Sequence, residues 1–513
     1  MELLDGLSLG FATALQMQNL SYALLGVVLG QAVGVLPGVG AMTAISLLLP
    51  ITFYLDATQS MIMLAGIYYG SQYGGSIASI LLSLPGTPSS VVTCFDGHPM
   101  AKKGEAGHAL MLAALASLFG SVVGVTILVL GAMPLARIAL QFGAPEYFSL
   151  ITLGMIGASV VSSGAMHRAI AMLVFGVLLG MIGTDVNTGA YRYVLIPEIA
   201  DGISLVALAI GLFGVAEIIS TPAGSRGGNA IALKTGWAQF LPNRETMRGF
   251  FAPASRGAGI GSAFGTLPGT GAAIASFVAY AVEMRLSRTP REFGKGKKEG
   301  LVAPESSNNA AAITGFIPTL TLGIPGDAVM ALMLGALIIN GIVPGPTVIT
   351  DHPSLFWGVI ASFIVGNVLL LLINLPLIRV WVRLLSIPYW LLFPGILAFV
   401  SVGVYSFRNS VVDVWTALLF GVAGAVLKRA DYPLPPILLG FILGPMMEEY
   451  LRRSMLLNDG DVTVFFTRPI SAVFMAGTVL LLVTPLIGPA VRRLRGTSGD
   501  HLPEGANTRE RDQ

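Results

Sequence analysis

The chain has 513 residues, 54% of them hydrophobic and only 11% charged, with a net charge of +2. A soluble domain carries about 25% charged residues, so this polar coat is too thin for a water-facing surface, and the mean hydropathy of +0.78 points to a polytopic membrane body. The near-neutral balance leaves no nucleic-acid footprint, the single cysteine, Cys94, excludes an intrachain disulfide or a CxxC site, and none of the five histidines forms an HExxH pair.

No Lys or Arg precedes Lys102, so the N-terminus is read as mature, without a cleavable leader. Residues 18–55 are apolar with a break at LPGVG, and residues 57–100 are apolar with a break at LPGTP. Single spans are expected near 109–133, 147–165, 169–184 and 203–219. A polar, basic stretch, 220–255, then divides the chain. Residues 257–284 are apolar around LPGTG. After a basic loop, residues 305–350 are apolar around GIPGD. Further spans are expected near 355–378, 388–407, 411–427, 434–447 and 470–491, and the polar tail 496–513 is expected to be disordered. Glycine (63) and proline (30) are abundant, and in lipid such residues are tolerated where neighbouring protein or water satisfies the freed backbone.

The order of the breaks repeats. GVLPGVGA (Gly34 to Ala41) matches GTLPGTGA (Gly265 to Ala272) at six of eight positions. LPGT (Leu84 to Thr87) and IPGD (Ile324 to Asp327) follow at similar distances. Two repeats are therefore expected, 1–219 and 256–495, with 220–255 as a cytoplasmic linker and 496–513 as a cytoplasmic tail. Paired interrupted segments of this kind mark the binding sites of transporters. Basic residues set the orientation. The first broken segment has none on either flank, whereas its counterpart is flanked by Arg244, Arg248 and Arg256 before and by Arg285, Arg288 and Arg291 after. A segment with both ends on one side goes in and returns, and arms of about 11 and 13 residues are short of the 20 a crossing needs. The expected fold is thus all-α and polytopic: two inverted repeats, each with a re-entrant hairpin (18–55, 257–284) and a Pro-Gly-broken helix (57–100, 305–350). About eleven crossings accompany the hairpins, with the N-terminus outside and the C-terminus in the cytoplasm.

At each break proline removes a donor and glycine opens otherwise closed backbone angles. Gly34, Pro37, Pro85, Gly86, Pro268, Pro325 and Gly326 are the expected hinge and tip residues. The helix after each tip starts with free N–H groups and the one before it ends with free carbonyls. Gly38, Gly40, Ala41 and Thr43, with Gly269, Thr270, Gly271 and Ala272, are therefore candidates for holding a carboxylate. Thr87, Ser89 and Ser90, beside Pro88, add a second donor-rich helix start. The carbonyls of Leu36 and Leu267 are candidates for a small cation. Asp327 is either a helix cap or a cation or proton site. Asn308, Asn309 and Thr321 precede the second break and suit either a site (Asn308 and Thr321 for the cation, Asn309 for the anion) or interhelical hydrogen bonding. Glu305 is the weaker candidate, readable as a residue facing the cytoplasmic interface. The basic run 294–300 lacks the GK[ST] of a P-loop, so the driving energy is expected from an ion gradient or a partner, with no cofactor.

The motifs GVLPGVGAMTA, YYGSQYGGSIASILLSLPGTPSS and DGHPMAKKGEAGHAL, then GTLPGTGAAIASF, PESSNNAAAITGFIPTLTLGIPGD and INGIVPGPT, resemble the large membrane subunit of tripartite tricarboxylate transporters, the TctA family. The resemblance spans roughly residues 15 to 495. It implies a multi-pass subunit of the bacterial inner membrane and a secondary transporter, not an enzyme. A small four-helix membrane subunit (TctB-like) and a periplasmic solute-binding protein (TctC-like) are its implied partners. The implied cargo is a carboxylate, citrate being the namesake, coupled to Na⁺ or H⁺ and moved by an elevator mechanism. A channel built on the same re-entrant loops is the alternative reading.

Overall fold

The computed structural model describes residues 3–36, 40–161, 165–185, 188–220, 242, 247–268, 271–374, 376–378, 380–381 and 389–494. Most of the expected linker 220–255 and all of the tail 496–513 lie outside the described residues.

The first half opens with α1 (Leu3–Ala14), α2 (Met17–Val35), α3 (Gly40–Thr52) and α4 (Ala57–Leu82). After the break come α5 (Val91–Met100), α6 (Ala106–Ala139), α7 (Ala144–Val161), α8 (Met166–Gly180) and α9 (Leu205–Ser220). The second half starts with α10 (Phe251–Gly265), α11 (Gly271–Leu286), α12 (Lys298–Thr314) and α13 (Phe316–Leu322). It continues with α14 (Ala328–Ile339), α15 (Pro353–Asn374), α16 (Tyr389–Arg408), α17 (Val411–Arg429), α18 (Pro435–Leu457) and α19 (Pro469–Leu494). The protein is a helical, multi-pass membrane body. Among the described residues the strands are a two-residue antiparallel pair, β1 (Gly183–Thr184) and β2 (Tyr191–Arg192).

The two broken helices form the centre. Every residue of α4 from Ser60 to Leu82 is buried, as is every residue of α12 from Gly300 to Thr314 and all of α13. A helix buried all round packs against protein on every face, so the serines, glutamine and asparagines of α4 and α12 face neighbouring helices. Asp56 starts α4 by accepting from Gln59 N at 2.9 Å, and Ser83 ends it in the left-handed conformation, φ 59°. Gly323 ends α13 in the same conformation, φ 70°. The step from α12 to α13 falls at Gly315, where Pro318 supplies no N–H to continue the ladder.

α2 packs along α4, and α10 packs along α12. Outside this core, α1 lies on α15, α7 and α8 pack with α18 and α19, and α9 packs with α17. Polar ties hold α15 to the centre: Tyr69 OH donates to Ser362 O at 3.1 Å, Tyr73 OH to Asn367 Oδ1 at 3.1 Å, and Gln31 Nε2 to Asn374 Oδ1 at 2.9 Å. The β pair is anchored by Arg192, which reaches Asp185 at 2.9 Å and Glu448 of α18 at 2.8 Å, while Arg452 holds the same two carboxylates.

Several details depart from the sequence expectation. α1 stands ahead of the first hairpin, where no segment was expected; two glycines let it lie against Trp357 of α15. The break after residue 100 is a bend. The chain stays helical from Pro88 to Ala139, kinked at Gly104 (φ 87°), because glycine tolerates that angle inside a turn. The first arm, α2, is 19 residues long, and the arms of the second hairpin are 15 and 16. Four helices among the described residues are long and apolar enough to cross a membrane: Met17–Val35, Pro88–Ala139, Pro353–Asn374 and Val411–Arg429. α4 falls outside that group because polar residues line it, and α12, polar as well, is also short, at 17 residues.

Candidate functional site

The two halves repeat the same contacts in the same register. A Cβ on Gly26, Gly30 or Gly34 of α2 would collide with the carbonyls of Met63, Ile67 or Ser71 on α4. A Cβ on Gly257, Gly261 or Gly265 of α10 would collide with the carbonyls of Ala303, Ser307 or Ala311. The glycines correspond at 231 positions' separation and the carbonyls at 240. Gly86 and Gly326 match at that separation, and their Cβ positions would crowd the Cα atoms of Gly75 and Gly315, which match likewise.

The hairpin tips follow the same rule. Gly40 starts α3 with φ 61° and Gly271 starts α11 with φ 63°, angles that glycine adopts without strain. Arg256 near the start of α10 grips Glu283 near the end of α11 with two charge-assisted hydrogen bonds, of 2.8 and 2.6 Å, so the outer ends of the second hairpin lie together. Gly40 lies by Gly86 and Gly271 lies by Asp327, each tip against the break of its own half. The helices that leave the tips cross over: α3 packs on α14 beyond the second break, and α11 packs on Pro88–Ser90 beyond the first. The four interruptions thus close into one ring of contacts, bordered by the exposed Leu84, Pro88 and Leu267.

The first break is lined with hydroxyls. Ser89 Oγ donates to Gln72 Oε1 at 2.7 Å, Thr87 Oγ1 donates to the same oxygen at 3.2 Å, and Thr87 and Ser89 share a 3.0 Å contact. Ser90 Oγ accepts from Thr87 N at 3.1 Å. The second break is closed differently. Asp327 caps α14 by accepting from Met330 N at 2.9 Å, and its other oxygen accepts from the Tyr68 hydroxyl of α4. In the repeat register Thr87 matches Asp327, and Tyr68 matches Asn308. Asn308 makes no bond corresponding to that of Tyr68. Both polar atoms of its buried side chain lack a partner, as does Asn309 Oδ1. Asn309 Nδ2 is committed to Glu305 O at 3.1 Å.

Other expected residues are placed as follows. Gly40, Ala41, Gly271 and Ala272 stand at the starts of α3 and α11. Gly34, Pro85, Gly86, Pro268, Pro325 and Gly326 lie at the interruptions, and Leu36 and Leu267 end the first arms. Thr43 Oγ1 is turned away from the ring and donates to Phe213 O of α9 at 2.8 Å, fixing the hairpin to its neighbour. Thr321 Oγ1 donates to Ile317 O at 2.6 Å, within its own helix. Pro37, Gly38, Gly269 and Thr270 lie outside the described residues. Glu305 faces the interior and not the interface. It is buried, and Ser76 of α4, Thr93 of α5 and Ser117 of α6 all donate to its carboxylate, Ser76 at 2.7 Å and Ser117 at 3.2 Å. The run PESSNN shows that polar residues cluster here, but only the packing of four helices shows which way Glu305 points.

The sequence matches the model of the tripartite tricarboxylate transporter TctA family over residues 20–439. One relative from Agrobacterium vitis, an uncharacterized 52.8 kDa protein in the TAR-I ttuC′ 3′ region, is 48% identical over 96% of this chain and 98% of its own length. Another from the same organism, an uncharacterized protein in the TAR-II ttuC′ 3′ region, is 52% identical over 46% of this chain and 97% of its own length. With its helical membrane body and paired Pro-Gly breaks, the chain belongs to the TctA family of tripartite tricarboxylate transporters.

Proposed function

We propose that this large subunit is a secondary active transporter that takes up tricarboxylates or related carboxylates by symport with Na⁺ or H⁺. It works in the bacterial inner membrane, with its N-terminus periplasmic and its C-terminus cytoplasmic. Its partners are a small four-helix membrane subunit and a periplasmic solute-binding protein that delivers the substrate. The residues at 1–219 and 256–495 act as two inverted repeats. Their hairpins and broken helices move together as the transport unit of an elevator.

The observation that carries this reading is the ring of four interruptions. Helix starts at Gly40 and Gly271, with Ser89 N after Pro88, present backbone donors, with the hydroxyls of Thr87 and Ser89 beside them; the unpartnered Asn308 amide lies on α12, which packs on Pro88–Ser90, and Asp327 caps the fourth helix start. The ring residues named here include no Lys or Arg, so main-chain and neutral donors carry anion recognition. Cations at nearby carbonyls and carboxylates offset the cargo's charge before the unit moves.

The test is reconstitution into liposomes with the small subunit and the binding protein, imposing Na⁺ and pH gradients separately. A labelled carboxylate is expected to accumulate above its equilibrium level along one of the two gradients. The paired change Thr87→Val with Ser89→Ala is expected to cut that uptake by tenfold or more, on the scale of two lost hydrogen bonds to a charged ligand. Uptake that only equilibrates would establish the channel reading instead.

A further inference from the structure

We propose that Glu305 is the carboxylate of a binding site for one sodium ion, set where α4, α5, α6 and α12 meet. The inference rests on the transporter reading above and deepens it by assigning the coupling ion to residues.

Glu305 is 1% exposed, and its hydrogen-bond partners are hydroxyls from three helices of the other half: Ser76, Thr93 and Ser117. Among the described residues it forms no ion pair. A carboxylate held in such surroundings without a counter-charge is costly by several kcal/mol, so the group is neutralised either by a proton or by a bound cation. A small cavity of about 10 Å³ lies on the far side of two of these hydroxyl residues: Ser76 and Ser117 line it with Tyr73 and Asn374, and Ile77, Leu110, Ala113 and Ala114 form the rest of its wall. That volume is about one water-sized guest. The hydroxyls of Ser76, Thr93 and Ser117 and the Glu305 carboxylate are all oxygen groups, the ligand type that hard cations take. Gln31 Nε2 holds Asn374 Oδ1 at 2.9 Å, and Gln31 Oε1 is buried without a partner, so further oxygen capacity lies close by.

Charge selects a monovalent ion. One carboxylate among neutral ligands balances a single positive charge, and a divalent ion would leave an uncompensated charge in the interior. The placement also explains coupling. Ser76 lies before the first break and Thr93 lies after it, while Glu305 sits one turn ahead of Asn308 and Asn309. A bound ion therefore draws both arms of the first broken helix onto α12 and sets the spacing of Thr87 and Ser89 against the Asn308 amide, where the anion is held.

The purified full-length chain in detergent tests this without any transport assay. Equilibrium binding of ²²Na⁺ at fixed pH and ionic strength is expected to show one ion per chain. The melting midpoint is expected to rise with Na⁺ and not with K⁺ or choline, because a ligand specific for the folded state stabilises it. Glu305→Gln is expected to abolish both signals. Ser117→Ala, a milder change to the fold than Glu305→Gln, is expected to weaken binding by roughly tenfold, as for one lost contact to a charged group. Wild-type protein that binds no Na⁺, a Glu305→Gln variant that binds as wild type does, or a midpoint that answers to K⁺ or to pH alone would each overturn the site. Intact Na⁺ binding with no carboxylate uptake by the reconstituted system would instead sink the transport reading and leave the ion site standing.

Discussion

Asp327 closes the second break from both sides. One oxygen caps α14 through Met330 N and the other takes the Tyr68 hydroxyl from the opposite half. Losing a cap costs about 1 kcal/mol, and leaving a buried hydroxyl unpaired costs about 1–3 kcal/mol more. Asp327→Ala is therefore expected to lower the melting midpoint by several degrees, with Asp327→Asn, which keeps an acceptor for Met330, falling between it and wild type. Scanning fluorimetry of the two variants checks this, and equal midpoints would contradict the capping role. The Pro-Gly pairs at these breaks were legible in the sequence because proline and glycine act on their own backbone. The direction of Thr43 was not. Its hydroxyl is taken by Phe213 O, a partner 170 positions away that no local pattern announces.

At the scale of helices, two glycine stripes set how closely the hairpins approach the broken helices. Gly30→Val and Gly261→Val each place a side chain against backbone, which cannot rotate away, and overpacking of this kind costs about 1–3 kcal/mol or more. Both are expected to abolish the monodisperse peak in size-exclusion chromatography. Gly259, between the stripe positions of α10, has open space where its Cβ would go. Gly259→Ala is expected to retain the peak and to gain up to about 1 kcal/mol from helix propensity. A Gly261→Val protein that elutes and melts like Gly259→Ala would refute the close-approach argument. The matching breaks revealed two similar segments, but the one-to-one register of glycines and carbonyls emerged only once the helices were seen side by side.

Across the whole molecule, Asp96 ties the halves together. Buried in the middle of α5, it accepts from Gly296 N at 2.8 Å, Lys297 N at 2.7 Å and Tyr280 OH at 3.0 Å, all in the second half. Lys103 Nζ adds a bond to Lys295 O at 2.6 Å. In the same loop a hydrogen bond from Lys297 holds the exposed Glu292 carboxyl below its usual range. Asp96→Ala removes three hydrogen bonds from a lysine-bearing loop, and local opening governs cleavage of such segments. Limited trypsin digestion is expected to cut at Lys295 and Lys297 about tenfold faster in this variant. Unchanged cleavage would show that the loop is held elsewhere.

Hydropathy, punctuation and the doubled Pro-Gly signals came from the amino-acid order alone, since they depend on the transfer of side chains to lipid and on constraints within a few bonds. The helical membrane class and the positions of four interruptions could be read at that level. Which interruptions face each other, why Tyr68 answers Asp327 while Asn308 is left open, and how Glu305 comes to lie among three hydroxyls depended on contacts between residues far apart in the chain. A helix such as α4, surrounded by protein, has no polar face to betray its orientation, so its neighbours had to be seen in place before its chemistry could be assigned.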